Sequence, residues 1–210
     1  MALMRRPILN LQHVEQRVRA HSATLIDRQA VPNRAAVAVI LRAETGIDDA
    51  DTRAEAATAD VLLMKRTTNP NDRWSGQVSL PGGREQGDDS SLVATAIRET
   101  YEEVAVNLET HARYVGALDA LHARNRDGLA GLSVTPFVFV ATQSLVPKTS
   151  AEAESVFWLP LRQVASGELS GFMDYEYLGE TIKLPTWTLG EHVVWGMTHK
   201  MLSSLLTLLS

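Results

Sequence analysis

From Gly82 to Val106 the chain reads GGREQGDDSSLVATAIRETYEEVAV, a double glycine followed by a helix-forming run. In a helix Glu102 and Glu103 lie about 60° to one side and about 40° to the other of Glu99, so three carboxylates share one stripe. Like charges at this spacing cost an isolated helix about 0.2–0.5 kcal/mol per pair, and a bound hard cation reverses the sign. The stripe therefore reads as a divalent-metal site, against the plainer alternative of a solvated face on an amphipathic helix. What favours the metal is the rest of the run. Val93, Ile97, Thr100 and Val104 make an adjoining core face flanked by Tyr101, and Arg98 stands one turn before Glu102, in place to pair with it. Asp88, Asp89, Ser90 and Ser91 supply helix-start chemistry. Upstream, Val78, Leu80 and Pro81 run as a short strand into Gly82 and Gly83, where glycine lets backbone approach a ligand closely.

This arrangement resembles the signature of the Nudix hydrolases: a glycine, five residues, a glutamate, seven residues, then Arg-Glu-aliphatic-x-Glu-Glu-x-Gly-aliphatic. Arg98, Glu99, Glu102, Glu103 and Val106 match it directly. Thr100 stands for the first aliphatic and Ala105 for the late glycine. Counted from Gly83, the early acid falls on Asp89, and eight residues rather than seven precede Arg98. That spacing is similar to the coenzyme A pyrophosphatase branch of the family. The run Leu62-Leu63-Met64-Lys65-Arg66, followed by Gly76 to Gly83, resembles the second motif of that branch, with Leu80 in place of Phe and the basic Arg73 one place nearer Gly76. Val134 to Val138, Val156 to Leu161 and Val194 to Thr198 resemble its late strand and helix segments.

The resemblance implies an α/β chain with a Nudix fold, an α/β/α sandwich around a mixed β-sheet, whose signature helix spans about residues 90–105. It also implies hydrolysis of a nucleoside diphosphate linked to another moiety, by water attack on phosphorus. Mg2+ or Mn2+ is the expected cofactor, held by Glu99, Glu102, Glu103 and the Gly82 carbonyl. Glu99 is the first choice for the base that activates water, with Glu152 second and Glu154 behind it. Arg98 is expected to orient Glu102. Arg66, Gly83 and Arg84 are expected at the phosphates, the two arginines having surface ion pairs as their plainer reading. Trp74, in a loop of turn formers, either stacks on a base or covers the edge of the core. The substrate is expected to be a small nucleotide. Coenzyme A or a derivative leads, and NADH, ADP-ribose or a nucleoside triphosphate is the alternative; a nucleotide-sensing module without activity is the third reading. A homodimer is a common state in the family.

At 210 residues and 45% hydrophobic, the chain suits one domain, with residues 1–34 as an N-terminal helical extension. Twenty basic against 25 acidic residues give a net charge of −5, which argues against a nucleic-acid footprint. Without cysteine, any metal must take oxygen or imidazole ligands. The six histidines lack metal-ligand spacing. Leu11, Val14 and Val18, with Ile8, predict one face of a first helix, and Ala35 to Leu41 a buried strand. Glu44 to Ala59 reads as a polar surface excursion. Strands are expected over Val61 to Met64, Tyr114 to Leu121, Val134 to Val140 and Val156 to Leu159, with turns from Arg124 to Gly131. A final helix from about Val194 to Leu209 is too short for a membrane span and reads as core packing, Met197 and Met201 included. Phe137, Trp158, Trp187 and Trp195 are assigned to the core by pattern. The first residues lack the apolar run of a signal peptide, so a cytoplasmic location without membrane contact is expected. Six arginines against two acids over residues 1–34 suit an organelle presequence as the alternative.

Overall fold

The computed structural model describes residues 9–43, 58–70, 74–125 and 128–210. In chain order its elements are α1 (Leu11–Ala20), β1 (Asn33–Ala43), β2 (Ala59–Arg66), β3 (Val78–Ser79), β4 (Gly82–Arg84), α2 (Leu92–Val104), α3 (Leu108–His111), β5 (Ala112–Ala117), β6 (Leu121–Asn125), β7 (Gly128–Ala141), β8 (Ala153–Pro160), α4 (Leu161–Ser166), β9 (Ser170–Tyr177), β10 (Glu180–Leu189), β11 (His192–Val194) and α5 (Gly196–Leu208). The arrangement follows from β1, whose near-continuous apolar run is the mark of a strand buried on both faces. Its alternate residues Ala35, Val37, Val39 and Leu41 enter one core cluster, and Ala36, Ala38 and Ile40 the other. Val61 and Leu63 of β2 join the first cluster, and Leu62 and Met64 the second.

Helices cover both faces. Val14 and Val18 of α1, Leu161 and Val164 of α4, and Met201, Leu202 and Leu205 of α5 fill the first cluster. Ala96 and Val104 of α2 and Leu108 of α3 fill the second. Between them lies a mixed sheet in the order β3-β2-β1-β7-β5, with β4 on β1, β6 on β7 and β8 on β2. The β1–β7 pair is parallel, whereas β2 and β4 lie antiparallel to β1. This is the α/β/α sandwich expected from the sequence. A separate antiparallel sheet, β11-β10-β9, stands beside it. Among the described residues no helix is long and apolar enough to cross a membrane.

Several local expectations change. The strand expected over Tyr114 to Leu121 divides into β5 and β6, and the turn-rich stretch after it is a hairpin in which β7 begins at Gly128. The double glycine is itself paired, Gly82 opposite Val37 and Gly83 opposite Ala36, so the turn doubles as a short strand. The last helix begins at Gly196, because His192–Val194 pairs with β10 first. Ile8, Arg73 and most of the excursion, residues 44–57, lie outside the described residues.

Candidate active site

The glutamate helix is anchored at its start by Ser91, whose hydroxyl accepts the Ala94 N–H at 3.2 Å, which selects one residue from the four candidate caps. Thr100, where an aliphatic residue was expected, is buried, and its hydroxyl donates back to the Ala96 carbonyl at 2.7 Å. α2 lies along β1 and β4 with its last turn over the double glycine. There Glu103 is 2% exposed, accepting the Gly82 N–H at 2.8 Å and facing Arg66 Nη1 at 3.4 Å. Glu99 lies over Gly83 so closely that a Cβ there would fall 2.5 Å from its carboxylate. At Gly82, with φ +147°, a Cβ would fall 2.2 Å from the Ala36 carbonyl. Glycine is therefore required by the backbone at Gly82, whereas at Gly83 a larger residue would push the Glu99 carboxylate from its place.

Burial pushes the Glu103 carboxyl up to about 8, although the Gly82 N–H and Arg66 pull the other way. Glu99 is also raised by burial, with Arg98 opposing and Glu102 and Glu152 adding to the rise. In both, burial is the leading cause of the rise. Glu102 differs, being half exposed and, among the described residues, reaching only Arg98 Nη1, at 3.1 Å. The three carboxylates share a helix side but not one focus. Among the described residues no three His, Asp or Glu side chains are arranged to hold a metal ion on their own. The donors are nevertheless the hard oxygens that suit Mg2+ or Mn2+, which take water and phosphate oxygens to complete their shells.

Arg98 has a larger role than pairing with Glu102. Its Nε and Nη2 grip Asp89 at 2.9 and 3.0 Å, Nη1 bridges Glu99 at 2.9 Å and Glu102, and Nη2 also donates to the Arg84 carbonyl at 3.2 Å. Asp89 further accepts the Thr95 hydroxyl and the Gln86 N–H. Hydrogen bonding from Arg98 holds the Asp89 carboxyl far below the usual carboxylate range, and Asp89 in turn raises Arg98. The one-residue insertion is absorbed in the loop that Asp89 closes onto the helix.

These residues floor a cleft of about 1640 Å³. Glu99, Glu102, Glu103, Glu152, Arg66, Trp74, Gly82, Gly83 and Arg84 all line it. Arg98 does not, as suits a residue that acts through its neighbours. Glu154 does not either: its exposed carboxylate pairs with Lys65 at 2.8 Å. Trp74 is half buried, packing on the first core cluster while it lines the cleft. Trp195 corrects the expectation of a core residue. It stands between β11 and α5, half buried, with its ring 5.2 Å from that of Tyr175 in the cleft wall. Trp158 is only half buried and lies under the Arg42 guanidinium, 3.9 Å from the ring centre. Tyr175 and Met173 carry no site signal in the reading above, and Arg124, expected there only as the start of a turn, lines the cleft as well. The alternation of β9, in which Met173, Tyr175 and Tyr177 share the less exposed face, is the signal that finds two of them.

The family model described as NUDIX domain matches residues 32–177. An uncharacterized protein of Schizosaccharomyces pombe is 36% identical over 142 residues, covering 63% of this chain and 43% of the relative's own length. The protein named uncharacterized Nudix hydrolase NudL from Photorhabdus laumondii is 30% identical over 145 residues, 69% of this chain and 74% of its own. Among solved structures, a C. elegans Ap4A hydrolase binary complex overlaps 63% of this chain and 83% of its own, at 20% identity and a TM-score of 0.47. The chain belongs to the Nudix hydrolase family.

Proposed function

We propose that the chain hydrolyses the pyrophosphate linkage of a nucleoside diphosphate derivative, with coenzyme A or a derivative as the best single substrate. The observation that carries this reading is the meeting of buried Glu103, Glu99 and the double glycine at the foot of one cleft that Arg66, Arg84 and Trp74 also line. Glu99 and Glu103, with Glu102 and the Gly82 carbonyl, would hold Mg2+ or Mn2+. A cation held there would supply the positive charge to neutralise the diphosphate and the Lewis acidity to polarise a phosphoryl oxygen. Arg66 and Arg84 bind phosphate oxygens, and Trp74 stacks on the base. A water oxygen forms a bond to phosphorus, the bridging P–O bond breaks, and Glu99 takes the proton of the attacking water. One observation favours Glu152 as the second candidate for that base. Its side chain makes no hydrogen bond among the described residues, whereas Glu99 is tied to Arg98, and its charge raises both Glu99 and Glu103.

The coenzyme A preference is supported by the Asp89 spacing and by the Leu62 to Arg66 run, which the structure forms as β2 leading to Arg66 beside Glu103. Incubation with coenzyme A, NADH, ADP-ribose and nucleoside triphosphates in Mg2+ or Mn2+, followed by product chromatography, tests it. An adenosine bisphosphate and a phosphopantetheine product are expected from coenzyme A. Turnover of NADH or ADP-ribose with coenzyme A untouched would move the assignment, and inertness across the panel would favour the sensing module.

A further inference from the structure

Beside the glutamate cleft lies a smaller cavity of about 220 Å³, walled by Arg28, Arg34, Arg84, Glu85 and Gln86 among others. Arg84 and Gln86 line both spaces, so the two adjoin. Three arginines and one glutamate line it. Glu85, its side chain 10% exposed, is gripped by both Nε and Nη2 of Arg34, and Arg28 Nη2 stands 3.6 Å from it. That carboxylate fixes Arg34 and offsets one charge. Arg84 makes no side-chain hydrogen bond or ion pair among the described residues, and Arg28 is 67% exposed. The nearby acid Asp89 is already committed to Arg98. Two positive charges are left over at the mouth of an otherwise acidic cleft.

We propose that this cavity is a phosphomonoester subsite, so that the favoured substrates carry an additional terminal phosphate besides the diphosphate that is cleaved. The inference rests on the pyrophosphohydrolase reading and narrows its substrate class. A phosphomonoester carries nearly two negative charges at neutral pH and presents three acceptor oxygens, which matches two spare guanidiniums better than a diphosphate ester oxygen or a neutral hydroxyl does. Arg84, shared between the spaces, spans the cleaved linkage and the extra phosphate. The alternative is that Arg28 only neutralises Glu85.

Calorimetric titration with adenosine 3′,5′-bisphosphate and with adenosine 5′-monophosphate separates the two without any need for turnover. The bisphosphate is expected to bind at least about tenfold more tightly, the size of one charge-assisted contact. R28E should erase most of that preference, and E85Q should enlarge it. Equal affinities in the unaltered protein, or an unchanged preference in R28E, would overturn the subsite. A second arm compares KM for coenzyme A and for its 3′-dephospho form. Equal KM values with rapid hydrolysis of both would defeat the subsite and leave the hydrolase reading standing. A retained bisphosphate preference with no hydrolysis of any dinucleotide would do the reverse.

Discussion

The floor of the cleft comes largely from one continuous stretch, Gly82 to Glu103, whereas its far wall gathers Arg124 from β6, Tyr175 from β9 and Trp195 from the junction of β11 and α5. On the floor, hydrogen bonds hold Glu103 to Gly82 and Glu99 to Arg98, and Arg98 is held in turn by Asp89. On the wall, half-buried rings and a methionine present apolar surface from a hairpin sheet outside the main one. A rigid, charged floor suits a reaction whose demands do not change, and a wall drawn from separate elements can vary without disturbing it. Floor substitutions should therefore act on turnover, and wall substitutions on substrate affinity.

The harshest test of that division is Glu103→Gln, which keeps an oxygen for the Gly82 N–H and removes the charge. Turnover in Mg2+ should fall by at least about a thousandfold, the several kcal/mol expected from losing a metal-binding carboxylate. Retained turnover would sink the metal assignment. Stability should move the other way. In metal-free protein burial raises Glu103 from 4.5 to about 8. Between those values the folded chain holds a proton that the unfolded chain has released, so this contribution to stability is full on the acid side and is lost as pH rises toward 8. Urea midpoints in a chelator should fall across that window in the unaltered protein and flatten in the variant. A parallel fall in both would place the pH dependence elsewhere.

Trp195→Ala tests the wall. Losing one aromatic face should raise KM for the preferred nucleotide about threefold to tenfold and leave kcat within about twofold. A fall in kcat like that of the Glu103 variant, at constant KM, would erase the distinction between floor and wall.

The same contrast explains what could be read from the chain. The floor was legible because its spacing is local: a helix repeat converts Arg98, Glu99, Glu102 and Glu103 into geometry without knowledge of the rest. Even there, the repeat says which side a residue faces and not how deep it lies, so it could not separate buried Glu103 from half-exposed Glu102. β1 was legible because a strand buried on both faces must be apolar throughout. The wall was not, since Trp195 reads as core from its apolar neighbours, and only the pairing of β11 with β10 brings it beside Tyr175. The Asp89–Arg98 clamp was missed for a related reason. The partners stand nine positions apart, one in the loop before α2 and one within the helix, so no single helical or strand period relates them.

The mildest perturbation probes the point where the floor helix stops. Ala105 caps α2 in the left-handed region, at φ 56° and ψ 28°, with its N–H on the Tyr101 carbonyl at 3.0 Å. The chain must reverse there, because Val106 turns into the core at 3% exposure and Asn107 at once caps α3. Alanine in this conformation costs about 1 kcal/mol relative to glycine, the residue that the family signature carries at this position. Ala105→Gly should therefore stabilise the fold by about 0.5–1 kcal/mol, after allowance for the greater freedom of glycine in the unfolded chain. In a chain of this length that is a rise in Tm of about 1–4 °C. Turnover should not change, since Ala105 is exposed and does not line the cleft. A lower Tm would contradict the left-handed cap. A higher Tm with slower turnover would mean that strain at the end of α2 helps to set Glu103, and the floor would then be less self-contained than its hydrogen bonds indicate.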